Sequence, residues 1–118
     1  MDYILKSRGR GKTYDLIVRS SRTGERIVCA NRNMAKYVNE KAKDMGLHIV
    51  EPKSYDYLTD NSYDHTNEKV LIDELSYVLK QVLHIDVTAI TDTPESIILN
   101  TEDVSTDPEC YRKHYFKK

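Results

Sequence analysis

The sequence has almost no net charge, few cysteines and no long hydrophobic run. Eighteen Lys and Arg stand against nineteen Asp and Glu, a formal net charge of −1. That balance argues against a basic protein that coats nucleic acid and against a disordered acidic tail. Cys29 and Cys110 are the only cysteines. They are too few and too far apart for a zinc knuckle or a disulfide framework. No apolar stretch approaches the eighteen or so residues of a membrane span, and no apolar leader opens the chain. There is no internal repeat and no low-complexity segment. At 118 residues and 39% apolar composition, the expectation is one soluble, reduced, intracellular domain with a small core.

The near-zero total hides an asymmetry. Residues 1–46 carry eleven basic and five acidic side chains, and residues 47–110 carry three and fourteen. Residues 111–118 add four cations and no acid. Solvated faces that happen to segregate would give this distribution. So would a basic half that meets an anion.

Short apolar runs alternate with helical periods. Asp2-Tyr3-Ile4-Leu5 reads as a strand and residues 13–22 as a helix. Residues 25–30, centred on Ile27-Val28-Cys29, read as a buried strand. Met34, Val38, Ala42 and Met45 mark one face of a helix over residues 32–45, closed by Gly46. Leu47-His48-Ile49-Val50 reads as a third strand and residues 53–68 as a polar loop with three tyrosines. Lys69-Val70-Leu71-Ile72 is a fourth strand. Leu75, Val78, Leu79, Val82 and Leu83 form a helical stripe, and Val87-Thr88-Ala89-Ile90 is a fifth strand. Ile97-Ile98-Leu99 suits a sixth, edge strand or a short helix. Wholly apolar strands alternating with helices predict an α/β fold: a three-layer αβα sandwich around a mainly parallel, five-stranded sheet.

Between the first strand and the first helix lies Lys6-Ser7-Arg8-Gly9-Arg10-Gly11-Lys12-Thr13. Glycines let a backbone curl around a phosphate, and the N–H groups that open a helix attract one. Lys12 would then reach the β- and γ-phosphates, and the Thr13 hydroxyl would ligate Mg²⁺. Ser7, Arg8, Gly9, Arg10, Gly11, Lys12, Thr13 and Tyr14 are the candidate nucleotide-binding residues. Lys6 stands where the GxxxxGK[ST] pattern has its first glycine. The same residues would also suit a basic surface turn.

Val70-Leu71-Ile72-Asp73-Glu74 carries two acids to the carboxyl end of a predicted parallel strand, where ligands sit in such sheets. Asp73 would hold Mg²⁺, and Glu74 would polarise the water that attacks the γ-phosphate. Two acids that merely begin a helix, where the dipole favours them, would look similar.

Taken together, residues 6–13 and Leu71-Ile72-Asp73-Glu74 resemble the P-loop NTPases. The nearest flavour is the ATPase core of phage terminase large subunits and related helicases. The resemblance covers residues 2 to about 99 and implies a minimal P-loop NTPase domain over residues 1–100, followed by a polar, basic tail at 101–118. It implies ATP or another NTP and Mg²⁺ as ligands, and hydrolysis with Lys12 and Glu74 as catalytic residues. Thr13 and Asp73 would be the metal ligands. It also places a γ-phosphate sensor at Thr91 or Thr93, within Ala89-Ile90-Thr91-Asp92-Thr93-Pro94. Cytoplasmic location follows, the host cytoplasm for a phage-encoded chain. The length leaves no room for a nuclease or second helicase domain, so a homo-oligomer or a larger protein partner is expected.

Nucleic acid is a further candidate partner, through the Arg/Lys-rich face and the aromatic and basic residues 111–118. Arg19, Arg22, Arg26 and Arg112 are candidates for an arginine finger. His48, His65, His84 and His114 show no metal-ligand spacing and read as ordinary. Two other readings stay open: a nucleotide-binding or degenerate P-loop module acting as an interaction factor, and a nucleoside or nucleotide kinase.

Overall fold

The structure is a computed structural model that describes residues 1–62 and 64–99. Cys110, Arg112, His114, the basic tail and Tyr63 lie outside the described residues. Among the described residues five strands alternate with four helices, and every strand pair is parallel. The α/β, parallel class read from the sequence therefore holds. The ladders form two small sheets, however, where one five-stranded sheet was expected. The described residues divide into two compact units, Met1–Lys12 with residues 91–99, and Thr13–Ile90.

In the first unit, β1 (Asp2–Leu5) pairs with β5 (Ser96–Leu99), register Asp2↔Ser96 through Leu5↔Leu99. β5 alternates exposed and half-buried residues, the period of a strand covered on one face. Ile97-Ile98-Leu99 is thus a strand, and its partner is the first strand of the chain.

The second unit holds the core. α1 (Lys12–Thr23) has Asp15 in its first turn and Arg22 in its last, both favourable to the helix dipole. It buries Leu16, Ile17 and Ser20 on one face. The Ser20 hydroxyl donates to the Glu25 carbonyl at 2.6 Å, which satisfies a buried polar group and fixes the turn into the next strand. That strand, β2 (Arg26–Cys29), lies between β3 (Lys53–Ser54) and β4 (Val70–Ile72). Ile27, Val28 and Cys29 are fully buried, as a central parallel strand requires.

α2 (Arg32–Asp44) packs on β2 and β3 through Ala35, Val38 and Ala42. Its start is set by Asn31, whose side chain accepts a hydrogen bond from the Met34 N–H at 2.8 Å. Asn31→Ala leaves that N–H without its cap. It is expected to lower stability by about 1 kcal/mol, read as a shifted urea midpoint with unchanged slope. α3 (Asp56–Thr59) and α4 (Leu75–Leu83) complete the unit, and α4 buries Val78.

Two predicted strands are absent. Leu47 is captured by the end of α2, its N–H bonding the Ala42 carbonyl at 2.9 Å. The ladder on that edge of β2 instead begins beyond Pro52, at Val28↔Lys53. Residues 87–90 form no ladder, and Val87 and Ile90 are exposed. A short turn of helix, α3, stands inside the stretch read as a loop. Among the described residues no helix is long and apolar enough to cross a membrane.

Candidate functional site

All three strands of the second unit end at the same edge, because they are parallel. Asp73 follows β4 there, and its N–H bonds the Val28 carbonyl at 3.0 Å, extending the β2–β4 ladder by one step. Asp73 is only 4% exposed, the one buried carboxylate among the described residues. A buried charge needs a partner. The Thr13 hydroxyl supplies a hydrogen bond to Asp73 Oδ2 at 3.1 Å, across 60 residues of sequence. Thr13 is the second residue of α1, so the start of that helix and the end of β4 meet at this bond.

The next strand over contributes Cys29, one step beyond the Val28↔Ile72 pair and so abreast of Asp73. Its thiol is buried and is pushed up to about 12, first by burial and then by the charge of Asp73. Cys29 therefore stays a neutral thiol beside the carboxylate. The sequence reading of a small buried hydrophobe holds, but its place next to Asp73 was invisible without the register. Ser54 sits abreast of Cys29 on the other side and is also buried.

Glu74 follows Asp73 in the left-handed conformation, φ 58 and ψ 71. Such a backbone is uncommon for a residue with a Cβ and is typically found where a site requires it. The Glu74 carbonyl accepts from the N–H groups of Tyr77 and Val78, which anchors the residue as the first of the α4 turn. Its side chain is half-buried. The reading of these acids as a helix start is thus correct for the backbone of Glu74, whereas Asp73 belongs to the sheet edge.

The glycine-bearing loop lies in the first unit. Gly9 and Gly11 have φ 78 and 85, so glycine is needed at both for conformation. The Arg10 N–H reaches the Ser7 carbonyl at 3.3 Å, and the Lys12 ammonium donates to the Lys6 carbonyl at 2.9 Å. The loop is therefore a closed turn, with Ser7, Arg8, Gly9 and Arg10 exposed and Lys12 half-buried. Tyr14 is 50% exposed.

Thr91 and Thr93 precede β5, whose start pairs with the start of β1. They lie at the amino end of this two-stranded ladder, whereas residues 6–12 leave its carboxyl end. The structure does not bring them to the loop. Between them, Asp92 accepts hydrogen bonds from the Tyr3 hydroxyl and the Thr93 N–H, which hold its carboxyl below the usual aspartate range. Among the arginines, Arg26 is engaged with Glu68, Tyr57 and the Glu51 carbonyl, which does not suit a finger aimed at a neighbouring subunit. Arg19 is 4.0 Å from Glu25, and Arg22 is exposed.

Thr13 and Asp73 are hard oxygen donors. At the 2.0–2.1 Å of Mg²⁺–oxygen bonds, neighbouring ligands of an octahedron are about 2.9 Å apart, close to the separation found here. That separation is also the length of an ordinary hydrogen bond, so it is compatible with Mg²⁺ without selecting it. No group of three or more His, Cys, Asp or Glu suited to a metal occurs among the described residues. No family model, curated protein or solved structure matches this chain.

Proposed function

We propose that the chain is a P-loop nucleoside-triphosphate-binding protein with a P-loop NTPase-like fold, and that it hydrolyses ATP or a related NTP with Mg²⁺. The hydrogen bond between Thr13 and the buried Asp73 carries this reading. It joins the two motifs that the sequence keeps 60 residues apart, and it pairs the two oxygens expected to hold the metal. A surface turn and an unrelated helix start would have no reason to meet.

In this reading the backbone N–H groups around Gly9 and Gly11 face phosphate oxygens, and Lys12 moves its ammonium from the Lys6 carbonyl to the phosphates. Thr13 and Asp73 would hold Mg²⁺, which would neutralise phosphate charge. Glu74 orients the attacking water and takes its proton as the water oxygen bonds to the γ-phosphorus, while the bond from that phosphorus to the β,γ-bridging oxygen breaks and the nucleoside diphosphate leaves with its electron pair. Low dielectric strengthens the role of Asp73, since its charge is shielded from solvent.

Calorimetric titration with ATP and Mg²⁺ tests it. Wild type is expected to bind, and Lys12→Ala and Thr13→Ala to weaken binding roughly tenfold or more. No heat with wild type would overturn the reading. It would favour a degenerate module, in which the Lys6–Lys12 contact is a permanent closure of the loop.

A further inference from the structure

We propose that α3 and the turn at residues 65–68 are buckled to β2 by a proton on His65, and that losing this proton loosens the rim of the adjoining groove. The inference is independent of nucleotide binding.

The buckle centres on the Glu68 carboxylate. The Tyr57 hydroxyl of α3 lies 2.7 and 2.9 Å from its two oxygens, and His65 Nδ1 is 2.7 Å from Oε2. Arg26 of β2 brings its Nε to 3.8 Å from Oε1 and lays its guanidinium 4.9 Å over the Tyr57 ring. The Tyr57 and His65 rings meet edge to face, their centroids 4.8 Å apart. Arg26 also donates to the Glu51 carbonyl, ahead of β3. Three positions that the sequence spreads over a polar loop are thus tied to the central strand of the core. Tyr57 also lines a groove of about 670 Å³ beside α2 and β3, together with Asp60, Arg32, Lys36, Lys53 and Ser54.

The surroundings of His65 call for a cation. Its Nδ1 meets the Glu68 carboxylate, an acceptor. The Asp60 and Asp64 carboxylates act on it from its own segment, and each is kept ionised by hydrogen bonds from Ser62 and Thr66 respectively. Arg26 is the cation across the cluster, and it sits against Glu68 and Tyr57. A neutral imidazole can keep one N–H on Glu68, but only the imidazolium adds a full charge to the pair.

Accordingly, the Glu68 hydrogen bond raises His65 above its ordinary 6.5, and His65 together with Tyr57 lowers Glu68 below its ordinary 4.5. The His65 contribution is complete below its ordinary value and disappears as pH rises through the raised one. The Glu68 contribution is complete above its own ordinary value and disappears as pH falls through the lowered one. The buckle is tightest between those limits and opens on the alkaline side.

Histidine proton resonances and amide hydrogen exchange between pH 5.5 and 9 test this on the full chain. His65 is expected to titrate above 6.5. The Leu58 and Glu68 amides, bonded to the Tyr55 and His65 carbonyls, should lose protection several-fold through that titration, after correction for intrinsic exchange. Amides of α2 should not follow. His65→Gln should give weak protection at every pH, and Glu68→Gln should flatten the profile. Titration of His65 at or below 6.5, or the same pH dependence in His65→Gln, would overturn the proposal. Should either variant fail to fold, the wild-type titration alone decides.

Discussion

Glu74→Gln is expected to cut ATP turnover by about a hundredfold to ten-thousandfold while leaving ATP binding nearly unchanged. The range is that of a lost general base. The substitution keeps the length of the side chain and removes its ability to take a proton. It also keeps the left-handed backbone, so the melting temperature should stay within a degree or two of wild type. Phosphate release and calorimetry on the same preparation separate the two effects. Equal phosphate release by wild type and variant, at a rate above background, would remove Glu74 from the chemistry. Glu74→Gly sharpens the comparison. Glycine adopts φ 58 without cost, so this variant should be as inactive as the glutamine form and no less stable.

Ile27→Ala is expected to produce the largest loss of stability. Ile27 is fully buried in the central strand, with a neighbouring strand on each side. Removing three carbons there costs about 2–5 kcal/mol, through lost burial and an incompletely collapsed cavity. Small domains hold only about 5–15 kcal/mol in total, so a large share of the stability would go. Ile98 provides the contrast, since it is 42% exposed in β5 and the same truncation there should cost well under half as much. Denaturant unfolding monitored by circular dichroism measures both. A cost below 1 kcal/mol for Ile27→Ala would mean that β2 is not the centre of the core.

The sequence and structure agree where a local signal coincides with a tertiary one. Gly11-Lys12-Thr13 and Asp73-Glu74 were legible because each combines a glycine or an acid with an apolar run. The structure then brings Thr13 and Asp73 together. α2 was legible from its period, although its buried face is Ala35, Val38 and Ala42, with Met34 and Met45 only half-buried. Residues 47–50 and 87–90 were misread because a short apolar run carries no information about whether a ladder partner is within reach. β3 has two residues and no period at all. The Tyr57, His65, Glu68 and Arg26 cluster was illegible for a different reason. Its histidine has no metal spacing, and its members are joined by hydrogen bonds whose partners sequence does not specify. The single sheet expected from the alternation failed because β1 has its ladder with β5, a pairing that no local pattern encodes.

That pairing has a consequence for how the chain is made. β1 leaves the ribosome well before its partner, which begins at Ser96. At about 5–20 residues per second, several seconds pass before β5 exists. By the end of that interval the unit bounded by Thr13 and Ile90 is fully synthesised, while β1 still has no ladder. A chain that ended between Ile90 and Ser96 would therefore carry the whole core unit and an unmatched β1.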